Sequence, residues 1–198
     1  MIDDSTPWRS DLLRFATSIQ RGRKRVLRED QAFFRLERDH MYGFFAVRRL
    51  IESFKLSTTT ANLAIPVTQY PFRTKSFLTM HNRADIARHY DFDRPTKAAL
   101  TLRALCNQVI HSYVFTLAID QASHLVGLFV NSEYRRRRTL AYVPAWRTAR
   151  IFRRIAKDWP SAYVASYDPA RNDYAVLAWM GGPTVPVGLR PRVRKTSG

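Results

Sequence analysis

The sequence predicts an α+β protein in which a helical N-terminal portion precedes a small, mostly antiparallel sheet carrying one basic helix. Two observations predict this class. Apolar residues recur every three or four positions in the first third of the chain, and beyond about residue 112 they occur in short runs separated by turn residues. Hydrophobic residues make up 45% of the 198, which is enough for a folded core.

Two helices are predicted at the N-terminus. A short amphipathic helix covers about residues 8–20, and a long helix runs from about residue 29 to 54. The buried stripe of the long helix has spacings of three or four throughout: Phe33, Leu36, His40, Phe44, Val47, Ile51 and Phe54. Because His40 interrupts an otherwise apolar stripe, we expect it to be a core histidine with its hydrogen bonds satisfied.

The middle of the chain is predicted to contain a short edge strand and loops over 56–82, where prolines break the helical period. A short helix follows at about 83–89. A third main helix is predicted to start at AspPheAspArgPro, with Asp93 or Arg94 as its cap and Pro95 in its first turn. It continues to about Ser112.

The second half is predicted to contain five strands and a basic helix. Residues 113–119 and 125–130 form a hairpin, 139–143 form a third strand, and a helix runs from Pro144 to about Trp159. A second hairpin surrounds the turn AspProAlaArgAsnAsp. We expect one domain over 1–180, divisible at most into a helical part (1–111) and a β-rich part (112–180), followed by a basic disordered tail over 181–198.

Net charge is the strongest bulk property of the chain. Lysine and arginine total 33 against 16 acidic residues, which gives a net charge of +17. A field of this size favours nucleic acid or another polyanion as partner. The surplus is concentrated, since residues 134–198 hold 14 basic residues and only three acids.

Other features of the sequence exclude several classes. The absence of a long apolar run argues against a membrane span, and the N-terminal residues lack the pattern of a secretory signal. The lone Cys106 excludes an intrachain disulfide and a zinc site built on cysteine pairs, and we expect an inert buried thiol. His81, His89 and His124 have no partner at metal-ligand spacing. We therefore predict a cytoplasmic protein without a metal or cofactor.

Two neighbouring basic segments are the predicted contacts with nucleic acid. Four arginines form a run in a hairpin turn, and the next helix carries basic residues three or four apart on one face. These residues are Arg135, Arg136, Arg137, Arg138, Arg147, Arg150, Arg154 and Lys157. Because turn and helix adjoin in sequence, we expect one merged patch that tracks phosphates without reading bases. An ordinary solvated face is the alternative.

Two further basic segments are weaker signals. Arg190, Arg192, Arg194 and Lys195 can add a flexible arm to the predicted patch. The run ArgGlyArgLysArg at 21–25 is short, and short basic runs are common.

Arg103, Asn107 and His111 are the candidate catalytic residues. They occupy positions i, i+4 and i+8 of the third predicted helix, so all three lie on one side of it. A guanidinium, an amide and an imidazole together suit the binding and cleavage of a phosphodiester. An ordinary polar helix face is the alternative here.

The segment LeuCysAsnGlnValIleHis at 105–111 resembles the Arg-Asn-three-residue-His region of HEPN (higher eukaryotes and prokaryotes nucleotide-binding) proteins. Cys106 stands where that motif has arginine, and Arg103 lies one turn earlier. The resemblance implies a homodimeric, metal-independent ribonuclease of a toxin or defence system. It further implies that His111 acts as general acid or base, Arg103 stabilises the phosphorane and Asn107 positions the phosphate.

Three functions remain open from the sequence. The first is a nucleic-acid-binding protein, directed to RNA more than to DNA. The second is a HEPN-like ribonuclease, and the third is an interaction module for an acidic protein partner. Whether the protein is an enzyme is not decided by these residues.

Overall fold

The α+β class is confirmed by a computed structural model, which describes residues 2–28, 30–170 and 172–186. These residues form six helices, a five-stranded antiparallel sheet and a separate two-stranded hairpin. In chain order the elements are α1 (Thr6–Lys24), α2 (Asp30–Glu52), α3 (Thr58–Ala61), β1 (Ala64–Pro71), α4 (Ile86–His89), β2 (Thr96–Thr101), α5 (Leu102–Ile110), β3 (Ser112–Ile119), β4 (Leu125–Ser132), β5 (Thr139–Pro144), α6 (Ala145–Ala156), β6 (Ala162–Asp168) and β7 (Asp173–Trp179). No described helix is long and apolar enough to cross a membrane.

The main sheet has the strand order β2-β1-β5-β4-β3, and every neighbouring pair is antiparallel. The predicted edge strand is therefore wrong in its position, since β1 lies between β2 and β5. Two prolines occur in β1: Pro66 lies outside the ladder with β5, which pairs only with residues 68–71, and Pro71 is the last residue of the strand. The sheet also combines strands from both sides of the predicted boundary at residues 111/112.

The main core lies between one face of the sheet and the helices α1, α2, α5 and α6. Within this layer α1 packs against both α2 and α6. Phe152 of α6 meets Phe44 of α2 edge to face, with ring centroids 5.1 Å apart, and both are fully buried. A Cβ atom at Gly43 would lie 2.3 Å from the Phe152 ring, so this close helix contact requires glycine.

Residues 72–92 cover part of the opposite sheet face, where Leu78 and Tyr90 pack against Val114 and Leu140. The buried Tyr90 hydroxyl donates to the carbonyl of Arg136 at 2.7 Å and accepts from the Asn131 amide at 2.6 Å. Burial raises the pKa of Tyr90 to about 12, so its hydroxyl remains a donor. This contact fixes the turn between β4 and β5.

The helix predicted over residues 95–112 is wrong in its first half. Residues 96–101 form β2, which pairs with β1, and α5 begins only at Leu102. The Thr101 side chain accepts from the Ala104 amide at 3.1 Å and caps α5 at this point. Helical spacing would place Ala98 on the same side as Leu102 and Leu105, but Ala98 lies on β2, where that spacing does not apply.

The remaining predicted elements are close to those observed, including α2, the two hairpins and the basic helix, which ends at Ala156 rather than near Trp159. The predicted tail is only partly described. Residues 181–186 carry no regular secondary structure. Arg190, Arg192, Arg194 and Lys195 lie outside the described residues.

Candidate nucleic-acid interface

Helix α6 divides into an apolar side and a basic side. Its buried residues include Ala149, Phe152 and Ile155, which pack into the main core. The other side spans roughly 120° at 100° per residue. It consists of Trp146, Arg147, Arg150, Arg153 and Arg154, followed by Lys157 at the C-cap, and we call these six residues the α6 stripe. The helix contains no acidic residue.

Most cations of the α6 stripe are unpaired among the residues that the structure describes. Within the described residues, Arg150, Arg153, Arg154 and Lys157 make no ion pair and no side-chain hydrogen bond. Arg147 differs, because it donates to the Pro66 carbonyl at 2.7 Å and lies over the Trp146 ring at 4.7 Å. Four cations are thus free to meet phosphates.

Arg153 is a member of the stripe that sequence reasoning missed. It lies three residues after Arg150 and four before Lys157. This spacing, which indicated that its neighbours share one face of the helix, indicates the same for Arg153.

The C-terminal end of α6 is held by buried charges. Arg9 is 3% exposed, and its guanidinium donates to the Ile155 carbonyl at 2.8 Å and lies over the Trp159 ring at 4.0 Å. Asp158 is buried as well, and its Oδ2 accepts from the backbone and hydroxyl of Ser57 at 3.0 and 2.9 Å. The acid that directly follows the α6 stripe in sequence is therefore buried against Ser57 and not on the surface of the stripe.

The Arg-rich turn, residues 133–138, holds its basic side chains differently. Arg136 pairs with Glu133 at 2.8 Å and lies over the Tyr113 ring at 4.6 Å. Arg138 lies over the exposed ring of Tyr134, also at 4.6 Å. Arg137 is exposed and Arg135 half-buried. Part of the positive charge of this turn is therefore engaged within the protein.

The structure separates the turn from α6 instead of merging them. They lie at opposite ends of β5, whose six residues span about 20 Å at roughly 3.3 Å per residue. The turn is anchored beside Pro71, at the end of β1, and beside Tyr90. Arg147, in contrast, contacts Pro66 near the start of β1, and Asp158 contacts Ser57, which precedes that strand. Neighbours in sequence become distant here because an extended strand lies between them.

Arg103, Asn107 and His111 remain one above another along α5. Arg103 and Asn107 are on the helix, and His111 is its C-cap, with a backbone N–H that donates to the Asn107 carbonyl at 3.0 Å. Eight residues at 1.5 Å place Arg103 about 12 Å from His111 along the axis. Within the described residues no hydrogen bond joins their side chains. Within a single protein chain, these three side chains can therefore contact only different parts of a ligand.

His111 lies beside the Arg-rich turn. Its carbonyl accepts from the Glu133 amide at 3.4 Å, and its side chain is exposed. The structure therefore brings one candidate catalytic residue to the turn, while the α6 stripe lies elsewhere.

Two side chains of types that often take part in catalysis, a thiol and an imidazole, are buried. Burial raises the pKa of the Cys106 thiol to about 12, which leaves it protonated and unreactive. His40 is fully buried, as predicted, and burial lowers its pKa to about 4. Its Nδ1 meets the Leu36 carbonyl at 2.7 Å, but Nε2 has no partner, so only one ring nitrogen is satisfied. Nowhere in the described ranges do three metal-ligating side chains cluster.

A scan against protein-family models, a search of curated proteins and a search of solved structures each found no match. We therefore infer the function from the chemistry of these residues.

Proposed function

We propose that this protein binds nucleic acid through the phosphate backbone, with the α6 stripe as its main contact surface. The observation that carries the proposal is a set of four cations on one side of a helix that has no acidic residue, none of them paired within the described part of the chain. Such a surface attracts phosphates by charge and needs no particular base sequence. The net charge of +17 favours association with a polyanion over long distances.

RNA is the proposed partner in preference to duplex DNA. Trp146 lies at the start of the α6 stripe and is 41% exposed, and Tyr134 in the Arg-rich turn is 71% exposed. Exposed aromatic rings beside cations stack well with unpaired bases, which RNA offers in loops and single strands. Because the two rings are at opposite ends of β5, a strand of several nucleotides is needed to reach both.

The test is the binding of a single-stranded RNA by the double variant Arg150→Ala, Arg154→Ala. We expect the affinity to fall by more than about tenfold, since two charge-assisted contacts are lost. The matched control is Lys75→Ala, Arg88→Ala, which removes the same charge from the exposed segment over the other sheet face. Equal losses in both doubles would mean that only net charge matters, and would contradict the proposal.

A metal-independent, HEPN-like ribonuclease is the second candidate. The observation that favours it is the exposed His111 beside the Arg-rich turn, where an imidazole can transfer a proton to a bound phosphodiester. His111→Ala should then abolish RNA cleavage and leave RNA binding intact, whereas His81→Ala, at another exposed histidine, should keep both. Undiminished cleavage by His111→Ala would exclude this role.

An acidic protein partner is the third possibility, and a pull-down distinguishes it. Nuclease treatment of the lysate should remove the co-purifying material if the partner is nucleic acid. A protein that stays bound after the treatment, with no RNA in the untreated sample, would replace the first proposal by docking on an acidic protein.

A further inference from the structure

A second positively charged site lies between α1 and α2. A cleft of about 640 Å³ opens between these helices, and five arginines line it: Arg14, Arg21, Arg25, Arg35 and Arg38. Two of them, Arg21 and Arg25, belong to the basic run at 21–25, which is separate from the α6 stripe. The walls also contain the apolar side chains of Leu13 and Val26, which are 40% and 47% exposed.

The cleft has a fixed frame. A Cβ atom at Gly22 would lie 2.9 Å from Leu36 Cδ1, so glycine lets α1 and α2 approach closely at the base of the cleft. The connection between the helices is also anchored, because the Leu27 amide donates to the Ser123 carbonyl at 2.9 Å in the turn between β3 and β4. The arginines therefore project from backbone that is already in place.

The positive charge of the cleft is poorly neutralised. Arg14 pairs with Asp11 at 2.8 Å, and the Arg38 guanidinium is 3.9 Å from the Asp39 carboxylate. In the part of the chain that the structure describes, Arg21, Arg25 and Arg35 make no ion pair within 4.0 Å, although Arg35 is close enough to lower the pKa of Asp39. Among the described residues that line the cleft, Asp39 is the one acid; it is 3% exposed, and burial raises its pKa while the neighbouring Arg38, Arg14 and Arg35 lower it.

Helix dipoles do not account for this grouping. Arg21 lies near the C-terminal end of α1, where cations are stabilised, but Arg35 and Arg38 lie in the N-terminal half of α2, where they are not. Five guanidinium groups around one cleft repel each other unless an anion lies between them.

We propose that this cleft binds a small ligand with two or more adjacent phosphate groups, of the class of nucleoside di- and triphosphates. Its volume is in the range of small-molecule sites, and guanidinium groups bind phosphate oxygens in bidentate geometry. The exposed apolar side chains of Leu13 and Val26 offer a surface for the rest of the ligand. A compact cleft suits such a ligand better than a long polymer backbone, which the open α6 stripe suits.

The test is isothermal titration calorimetry of the full-length protein with pyrophosphate, ADP and adenosine. We expect pyrophosphate and ADP to bind with one site per chain and adenosine not to bind. The triple variant Arg21→Gln, Arg25→Gln, Arg35→Gln should weaken ADP binding by at least about tenfold. The matched control Arg150→Gln, Arg154→Gln, Lys157→Gln removes the same charge from the α6 stripe and should change ADP affinity by less than about twofold.

The side chains of the cleft triple are exposed, so we expect the variant to fold. If it does not, the single variant Arg35→Gln should still weaken ADP binding in the same direction. No binding of pyrophosphate or ADP to the wild type at millimolar concentration would overturn the proposal, as would equal weakening in both triples. The result is independent of the proposed RNA binding, because a protein that fails to bind RNA can still bind ADP in this cleft.

Discussion

The α6 stripe and the Arg-rich turn are both dense in arginine, but their guanidinium groups have different neighbours. In the turn, Arg136 is committed to Glu133 and Tyr113, and Arg138 lies over Tyr134. On α6, Arg150, Arg153 and Arg154 have no partner within the described residues. The comparison shows that the number of basic residues in a segment does not measure the charge available to a ligand. The charge available to a ligand depends on the neighbours of each basic side chain.

The support beneath the two regions also differs. α6 rests on the main core through Phe152, whereas the turn is fixed by the hydrogen bonds of Tyr90. Variants that remove one support at a time can therefore distinguish the contribution of α6 from that of the Arg-rich turn.

The largest expected effect is the loss of the core contact under α6. Phe152→Ala should lower the free energy of unfolding by about 3–5 kcal/mol, because a fully buried ring is replaced by a cavity against Phe44. Phe77→Ala is the control, since Phe77 is 74% exposed and its loss should change stability by less than about 0.5 kcal/mol. Urea denaturation measures both. Similar values for the two variants would contradict the packing described for α6.

The next largest effect is a loss of folding stability at acidic pH, which we attribute to the buried His40. His40 is fully buried, and its pKa falls from 6.5 in the unfolded chain to about 4 in the folded protein. Between these values the unfolded chain binds the extra proton, so stability should fall as pH decreases from about 6.5 to 4 and should be fully present above 6.5. The shift corresponds to about 3 kcal/mol.

His40→Leu should flatten this part of the pH dependence. Unfolding free energies of wild type and variant at several pH values between 7 and 4 test it, because the carboxyl groups titrate in both proteins and cancel in the difference. Parallel curves for the two proteins would show that His40 is not held neutral by burial.

A smaller effect is expected at the turn. Tyr90→Phe should lower the free energy of unfolding by about 1–3 kcal/mol, because the Arg136 carbonyl and the Asn131 amide lose a buried partner. Tyr163→Phe is the control, since Tyr163 is 75% exposed. Binding of RNA by the α6 stripe should be unchanged in Tyr90→Phe. A large loss of RNA affinity in this variant would mean that the turn contributes more to the interface than its internal contacts indicate.

Local patterns predicted much of the fold and four of the six residues of the α6 stripe. The apolar period of α2 and the spacing of Arg147, Arg150, Arg154 and Lys157 depend only on residues within one helix. The boundary between β2 and α5 could not be found in this way, because it depends on the pairing of β2 with β1, some thirty residues earlier. Helical spacing and strand alternation both fit Ala98, and only the distant partner decides between them.

Long-range contacts also explain what was missed in the candidate sites. The contact of Arg136 with Tyr113 joins the Arg-rich turn to β3, and the cleft joins arginines from α1, α2 and the residue that follows α1. Neither arrangement leaves a spacing in the sequence. The basic run 21–25 supplied two of the five arginines of the cleft, but nothing in the sequence indicated that Arg35 and Arg38 lie opposite it.

The salt dependence of RNA binding tests the central claim most directly. If the four free cations of the α6 stripe contact phosphates, they contribute roughly −3 to the slope of log affinity against log salt for a single strand. Arg150→Ala, Arg154→Ala should make the slope shallower by about 1.4, and Arg136→Ala, Arg138→Ala should change it by less than about half that amount, because these arginines are engaged within the turn. An unchanged slope in the α6 variant, or a larger change in the turn variant, would contradict the account.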